Sequence, residues 1–254
     1  MRRQMVRWVG VLVVGGWLAV TGLAAQTDHA DPKQPNMSTE KGKDTGGAAA
    51  VSLLNQAEEL VKYAKENESP VAMLTAVQML ERVKVQDNAE RVGAKKTGLQ
   101  NEGEKVKEGK KGDTPAPTLD PEKLLAEARP WATGDPHMLA LLDAEAVKAK
   151  AASAAGTLGS TRGAITHRDR VSARAYDDFV VNFYGGDLAR VAVVADGDTD
   201  VDLYVYDQNG HEIVRATGPG SNCLVQFVPR WTGPFRVRVV NLGYVYSDYI
   251  LMTN

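Results

Sequence analysis

The chain has 254 residues, a formal net charge of −2 and a hydrophobic fraction of 43%. This length suits one or two domains, and the composition is that of an ordinary globular protein. The charge gives no electrostatic support for a nucleic-acid partner. A single cysteine, Cys223, excludes an internal disulfide and a paired-cysteine metal site.

The first 25 residues have the pattern of a secretory signal peptide. Three arginines precede an uncharged apolar run, Trp8 to Ala25, whose end is rich in small residues. This order of positive, apolar and small segments is typical of signal-peptidase substrates. The alternative is an uncleaved anchor, because the run is just long enough to span a bilayer. We predict that residues 1–25 are removed, that no membrane span remains, and that the protein is periplasmic or secreted.

Residues 26–47 are polar, contain Pro and Gly and have no apolar period, so we predict a disordered tether. Residues 48–92 then carry apolar side chains at helical spacing. Ser69-Pro70 interrupts this stretch with a capping residue followed by a proline, which suits the first turn of a new helix. A helical hairpin is predicted for residues 48–92.

Residues 93–117 are rich in Gly and Lys and are predicted to form a disordered linker. Residues 118–155 return to the helical period, with Asp120-Pro121 and Asp135-Pro136 as two helix starts. They predict a second helical hairpin. Because neither hairpin alone buries much surface, we expect the two to pack on each other.

After residue 156 the apolar period changes from that of a helix to that of a strand. Val201, Leu203 and Val205, for example, alternate with Asp202 and Tyr204. About seven or eight such strands follow one another at the turn spacing of an antiparallel sandwich. The predicted fold is therefore α+β in separate regions, with helical hairpins followed by a jelly-roll-like antiparallel β-sandwich over residues 165–254.

Four segments of this β region resemble the bacterial pre-peptidase C-terminal (PPC) domain. They are GDTDVDLYVYDQNGHEI from Gly197, CLVQFVP from Cys223, TGPFRVRVVNLG from Thr232, and the final YILMTN. The resemblance implies a β-sandwich that accompanies exported proteins and has an accessory role in binding, export or stability. No peptidase motif precedes the module, and the helical half resembles no family.

The sequence contains no H-E-x-x-H, G-x-S-x-G, P-loop or G-x-G-x-x-G motif, and its four histidines are scattered. We therefore predict that the protein is not an enzyme and name no catalytic residue. No cofactor is expected to be required.

An acidic run is the strongest chemical feature. Asp196, Asp198, Asp200 and Asp202 occupy alternate positions, so in an extended chain all four would point to one side. Oxygen ligands of this kind suit Ca²⁺, which makes these residues a candidate calcium site. The alternative is an acidic loop at the end of a sheet, where Asp and Gly favour turns.

A second candidate site is a ligand surface rich in aromatic residues and arginine, which are both favoured at interfaces. Its predicted members are Trp231, Arg236, Arg238, Tyr244 and Tyr246. The alternative is that these are scattered surface residues of a sandwich, which are common.

These patterns predict an exported, non-catalytic binding or accessory protein whose ligand is a protein, a glycan or a cation. The expected partner is an extracytoplasmic protein or polysaccharide, and not a nucleic acid. Two alternatives stay open: a structural envelope protein that self-associates, and a hydrolase with an unrecognised site.

Export is directly testable. The mature protein isolated from its host is expected to begin close to Ala25, because the small residues there fit the signal-peptidase subsites. N-terminal sequencing measures this, and a mature protein that still begins at Met1 would rule out cleavage.

Overall fold

The computed structural model describes residues 33–83, 85–87, 93, 95–100, 107–154 and 163–254. The predicted signal peptide, residues 1–25, lies outside the described residues. Within the described ranges, no helix combines the length and the hydropathy needed to cross a membrane.

The first helical hairpin consists of α1 (Gly46–Glu66) and α2 (Pro70–Glu81). Each helix begins at a hydroxyl cap. Thr45 Oγ1 accepts from the amide of Ala48 at 3.2 Å, and Ser69 Oγ accepts from the amide of Ala72 at 3.3 Å. The Ser-Pro start predicted from the sequence is therefore confirmed.

The second helical region contains α3 (Pro121–Ala128), a short 3₁₀ helix (Arg129–Ala132) and α4 (Pro136–Ala154). Asp120 caps α3, and Asp135 caps α4 by accepting from two amides at 3.0 Å each. Because α2 contacts both α3 and α4, the two hairpins pack on each other as predicted.

The described strands form two five-stranded sheets. Eight of the strands follow residue 163, and their order along the chain is β3 (Ala164–Val171), β4 (Ala175–Phe183), β5 (Ala189–Ala195), β6 (Val201–Tyr206), β7 (Glu212–Ala216), β8 (Asn222–Phe227), β9 (Gly233–Asn241) and β10 (Ser247–Thr253).

These eight strands have jelly-roll topology. The pairs β3–β10, β4–β9, β5–β8 and β6–β7 are antiparallel, as in a long hairpin rolled into two sheets. The sheet orders are β3-β10-β5-β8, called the first sheet, and β4-β9-β6-β7, called the second sheet. The predicted α+β fold with a jelly-roll-like sandwich is confirmed.

Two further strands come from segments that were predicted otherwise. β1 (Val85–Asp87) lies within the predicted first hairpin and pairs in parallel with β3, and β2 (Lys96–Leu99) lies within the predicted linker and pairs with β4. Each of them extends one sheet. These strands were not predicted because their segments lack an apolar strand pattern. The edge of a sheet presents unpaired backbone N–H and C=O groups, and an extended segment can pair with them without apolar side chains.

The described part of the predicted tether also packs on the sandwich. Asn36 is fully buried. Its Nδ2 donates to the carbonyl of Trp231, its Oδ1 accepts from the Trp231 amide, and its own amide donates to Asp207 Oδ2, each at 3.0 Å. The buried asparagine and backbone hydrogen bonds of Ser38 and Lys43 to the sandwich thus hold a segment that contains few apolar residues.

The described residues form two apolar cores between three layers. One core fills the space between the two sheets. The other lies between the helices and the outer face of the first sheet, where Ala192, Val194, Ile250 and Met252 contact the helical residues. β5 and β10 are consequently buried on both faces, and the helices and the jelly roll form one folded unit.

This second core predicts that Val194→Asp destabilises the whole protein. Val194 is buried against the helical layer, and an aspartate there would be an unpaired buried charge. We expect a loss of about 3 kcal/mol or more in the free energy of unfolding, measured by urea denaturation.

Leu224→Asp is the matched control, because Leu224 pairs beside Ala192 on the same sheet face but is 42% exposed. We expect its effect to stay within about 1 kcal/mol. Equal losses in the two variants would show that the helical layer does not cover β5.

Candidate functional site

The outer face of the second sheet is the part of the sandwich that the helices leave open. Strand register places Tyr204 beside Arg238 and Tyr206 beside Arg236, and β4 adds Tyr176. All five side chains are half-buried. Together with Val180, which is 47% exposed, they define what we call the open face.

Arg238 is held rigidly within the open face. Its Nε and Nη2 each donate to one carboxylate oxygen of Asp178 at 2.7 Å, and its guanidinium lies 3.8 Å from the centre of the Tyr176 ring. Hydrogen bonding to Asp178 raises the pKa of Arg238 further. Such a bidentate pair with a stacked ring fixes the side chain geometrically.

Arg236 lies in a different environment on the same strand. Its guanidinium is 4.5 Å from the centre of the Tyr206 ring, and the rings of Tyr204 and Tyr206 stack with centres 6.3 Å apart. Among the described residues, Arg236 Nε is buried and has no hydrogen-bond partner. An arginine positioned by aromatic contact without a carboxylate can donate to a ligand.

The other predicted members of the ligand surface lie elsewhere. Trp231 is buried beside Asn36. Tyr246 stacks under the guanidinium of Arg170, 3.9 Å from its ring centre, and Tyr244 is exposed at the same end of the sandwich. The structure therefore brings together only Arg236 and Arg238 of the five predicted residues.

The three tyrosines of the open face are not among the residues predicted from the sequence. Tyr204 and Tyr206 alternate with Val201, Leu203 and Val205 along β6, and the aliphatic set fills the core. This alternation identifies the tyrosines as outward-facing. Their position beside the arginines of β9 depends on strand register, which one strand's pattern does not reveal.

Two aspartates of the acidic run form ion pairs with a lysine from the predicted linker. Lys111 Nζ lies 2.7 Å from an oxygen of Asp196 and 2.7 Å from an oxygen of Asp198. Asp196 is buried and also accepts from Ser247 Oγ at 3.0 Å and from the amide of Asp248 at 2.7 Å. The linker segment is thus held by a partly buried ion pair.

The four aspartates do not face one side. Asp200 accepts from the amide of Gly220 at 3.1 Å, whereas Asp202 lies on the outer face of β6 and accepts from the Tyr204 hydroxyl at 3.2 Å. Burial raises the pKa of Asp202. Gly197 has a φ of +91°, so the chain bends after Asp196 and the expected alternation is lost.

Within the described part of the chain, no group of three or more His, Cys, Asp or Glu side chains is arranged to hold a metal ion. This placement differs from the prediction of one four-aspartate calcium site. Asp196 and Asp198 do meet, but they meet around the ammonium group of Lys111.

No protein-family profile and no curated protein matches this sequence. Solved structures match part of it at low identity. The pre-peptidase C-terminal domain of a Bacillus anthracis collagenase is 12% identical, covers 35% of this chain and 87% of its own, and has a TM-score of 0.30.

Two other structures match to a similar extent. Aeromonas hydrophila PliG, a periplasmic inhibitor of g-type lysozyme, is 13% identical over 36% of this chain and 84% of its own, with a TM-score of 0.27. TmCBM61, solved with β-1,4-galactotriose, is 18% identical over 41% of this chain and 77% of its own, with a TM-score of 0.23. The link to the PPC domain is therefore weak and concerns the fold, and family membership stays a prediction.

The ion pair predicts that Lys111→Met destabilises the protein by about 3 kcal/mol, because it leaves a buried carboxylate without its cation. Urea denaturation at neutral pH measures this loss. Lys110→Met is the control, since Lys110 is exposed, and its effect should stay within about 0.5 kcal/mol. A small effect at Lys111 would mean that the ion pair does not hold the segment.

The same interaction predicts a pH dependence. The hydrogen bond from Lys111, with a second from Thr114, lowers the pKa of Asp198. The stabilisation is therefore present above the ordinary pKa of aspartate and is lost as the pH falls through the lowered value. We expect the difference between the native protein and Lys111→Met to shrink in acid, as measured by melting temperature from pH 7 downward.

Proposed function

We propose that the protein is an exported, non-catalytic binding protein that contacts an extracytoplasmic protein through the open face. One observation carries the proposal. The helices bury one outer face of the jelly roll, whereas the other face displays three tyrosines and two arginines, with the exposed Val180 opposite Arg236.

The chemistry of the open face supports a protein partner. Tyrosine and arginine are enriched among the residues that dominate binding energy at protein interfaces. Tyr206 offers apolar ring area, and the half-buried Arg236 beside it has one guanidinium nitrogen, Nε, without a hydrogen-bond partner among the described residues. A carboxylate or a set of backbone carbonyls on the partner would complete the hydrogen bonds of Arg236.

Rigidity also supports the proposal. Arg238 is fixed by Asp178 and Tyr176, and the sheet below it is paired on both sides. A surface that is ordered before binding loses less entropy when the partner docks. The export part of the proposal rests on the signal-peptide pattern, and the non-catalytic part rests on the missing enzyme motifs.

The test is photo-crosslinking from the open face. A photoreactive amino acid at Val180 is expected to form an adduct with a protein of the host's extracytoplasmic fraction. The same amino acid at Val147, which is 70% exposed on α4, should not form it. With the captured partner, Tyr206→Ala and Arg236→Ala should each weaken binding by roughly thirtyfold, or about 2 kcal/mol.

Arg129→Ala is the control for the binding measurement, because Arg129 lies on the helical layer. Adducts at Val147 but not at Val180 would overturn the proposal. If the native protein binds a glycan array and Arg236→Ala does not, the ligand of the open face is a polysaccharide and not a protein.

The two alternatives from the sequence have their own measurements. A self-associating envelope protein would show a mass that increases with concentration in light scattering. A hydrolase would turn over substrates in a generic esterase and peptidase panel. Concentration-dependent mass or substrate turnover, found without a crosslinked partner at Val180, would favour the corresponding alternative over the proposed function.

A further inference from the structure

A recess lies between the helical layer and the jelly roll, on the first sheet and therefore away from the open face. Its volume is about 450 Å³, which suits a small molecule. The walls come from α1, from the segment Thr114–Thr118, from the end of β5 and from the start of β8. We call this recess the interlayer cleft.

Two buried oxygen atoms in the cleft walls lack hydrogen-bond partners among the described residues. They are Oε1 of Glu58, whose residue is 5% exposed, and Oδ1 of Asn222. Glu58 comes from the buried side of α1 and Asn222 from the first position of β8. A buried acceptor without a donor is costly, so two of them lining one cavity point to a missing donor.

The two lysines nearest to Glu58 along α1 have their ion-pair partners among other carboxylates. Lys65 Nζ lies 3.0 Å from Glu127 on α3, and Lys62 Nζ lies 4.0 Å from Glu66. The cleft walls also contain apolar surface from Val61, Val194 and Pro117. The cleft therefore combines two buried hydrogen-bond acceptors, on Glu58 and Asn222, with apolar walls. Its two lysines, Lys62 and Lys65, each lie near a carboxylate other than that of Glu58.

We propose that the interlayer cleft binds a ligand with a primary amino group on an aliphatic chain. The ammonium donates hydrogen bonds to the Glu58 carboxylate and to the Asn222 side-chain carbonyl, and the chain packs on Val61, Val194 and Pro117. An ammonium group fits because it carries three donors and no acceptor, whereas a carboxylate or phosphate would face the two acceptors unfavourably. This site is independent of the open face.

The protonation of Glu58 gives the proposal a signature. Burial raises the pKa of Glu58 to about 7, against opposing effects of Lys65 and Arg168. The bound ammonium favours the carboxylate, so binding should release a proton and become stronger as the pH rises through 7. The charged groups facing this carboxyl or lining the same cleft are Lys62, Lys65, Glu66, Arg168 and Asp196.

The experiment uses the full mature chain and n-butylamine as the probe, with n-butanol as the uncharged probe of similar size. Calorimetric titration at pH 8 should show butylamine binding and at least tenfold weaker butanol binding. Titration at pH 6 should show weaker binding and proton uptake by the buffer.

Glu58→Gln should abolish butylamine binding, since it removes the charge at nearly constant shape. Its melting temperature at pH 8 should equal or exceed that of the native protein, because a buried charge is removed, so loss of binding cannot be ascribed to unfolding. Glu59→Gln is the matched control, since Glu59 is exposed and adjacent, and it should bind as the native protein does.

Three results would overturn the proposal. They are the absence of butylamine binding at millimolar concentration, binding that Glu58→Gln retains, and equal affinity for butylamine and butanol. None of these results bears on the open face, whose test uses a protein partner.

Discussion

The burial of β5 and β10 on both faces is the constraint on which the rest of the structure depends. One set of their side chains, with Val193 and Leu251, fills the sandwich, and the other set, with Val194 and Ile250, must be covered from outside. The helical hairpins provide that cover, since neither could bury its own apolar face alone. The helices are therefore a third layer of one unit and not a separate domain. The same arrangement leaves the second sheet with one open face.

Local patterns in the sequence were sufficient for the elements but not for their assembly. The caps at Ser69 and Asp120 and the alternation along β6 are determined by neighbouring residues, and the structure confirms them. The run from Val191 to Ala195 carried a further signal, because uninterrupted apolar residues indicate a strand covered on both faces. Pairings such as Lys111 with Asp196, 85 residues apart, leave no local pattern, so the segment before α3 was predicted as a linker.

The ion pair of Lys111 links this segment to both the acidic run and the interlayer cleft. Lys111 holds Asp196 and Asp198, and Thr114 donates to Asp198 three residues later. The chain then continues through Pro117 along the cleft wall. Asp196 and Asp198, which were predicted as metal ligands, therefore have a structural role. Their ion pairs with Lys111 hold the segment that forms one wall of the cleft. A calcium ion at Asp196 and Asp198 would have to displace that cation.

Two arginines of β9 lie on the open face, and they differ in their partners. Arg238 and Arg236 are two residues apart and point the same way, yet among the described residues only Arg238 meets a carboxylate, that of Asp178. At the position of β4 opposite Arg236, the residue is Val180. One arginine is therefore held by an ion pair, while the other lies beside a stacked pair of tyrosines and has a buried Nε without a hydrogen-bond partner among the described residues. β4 thus places a carboxylate opposite Arg238 and a valine opposite Arg236, and the recognition role proposed for Arg236 rests on this difference.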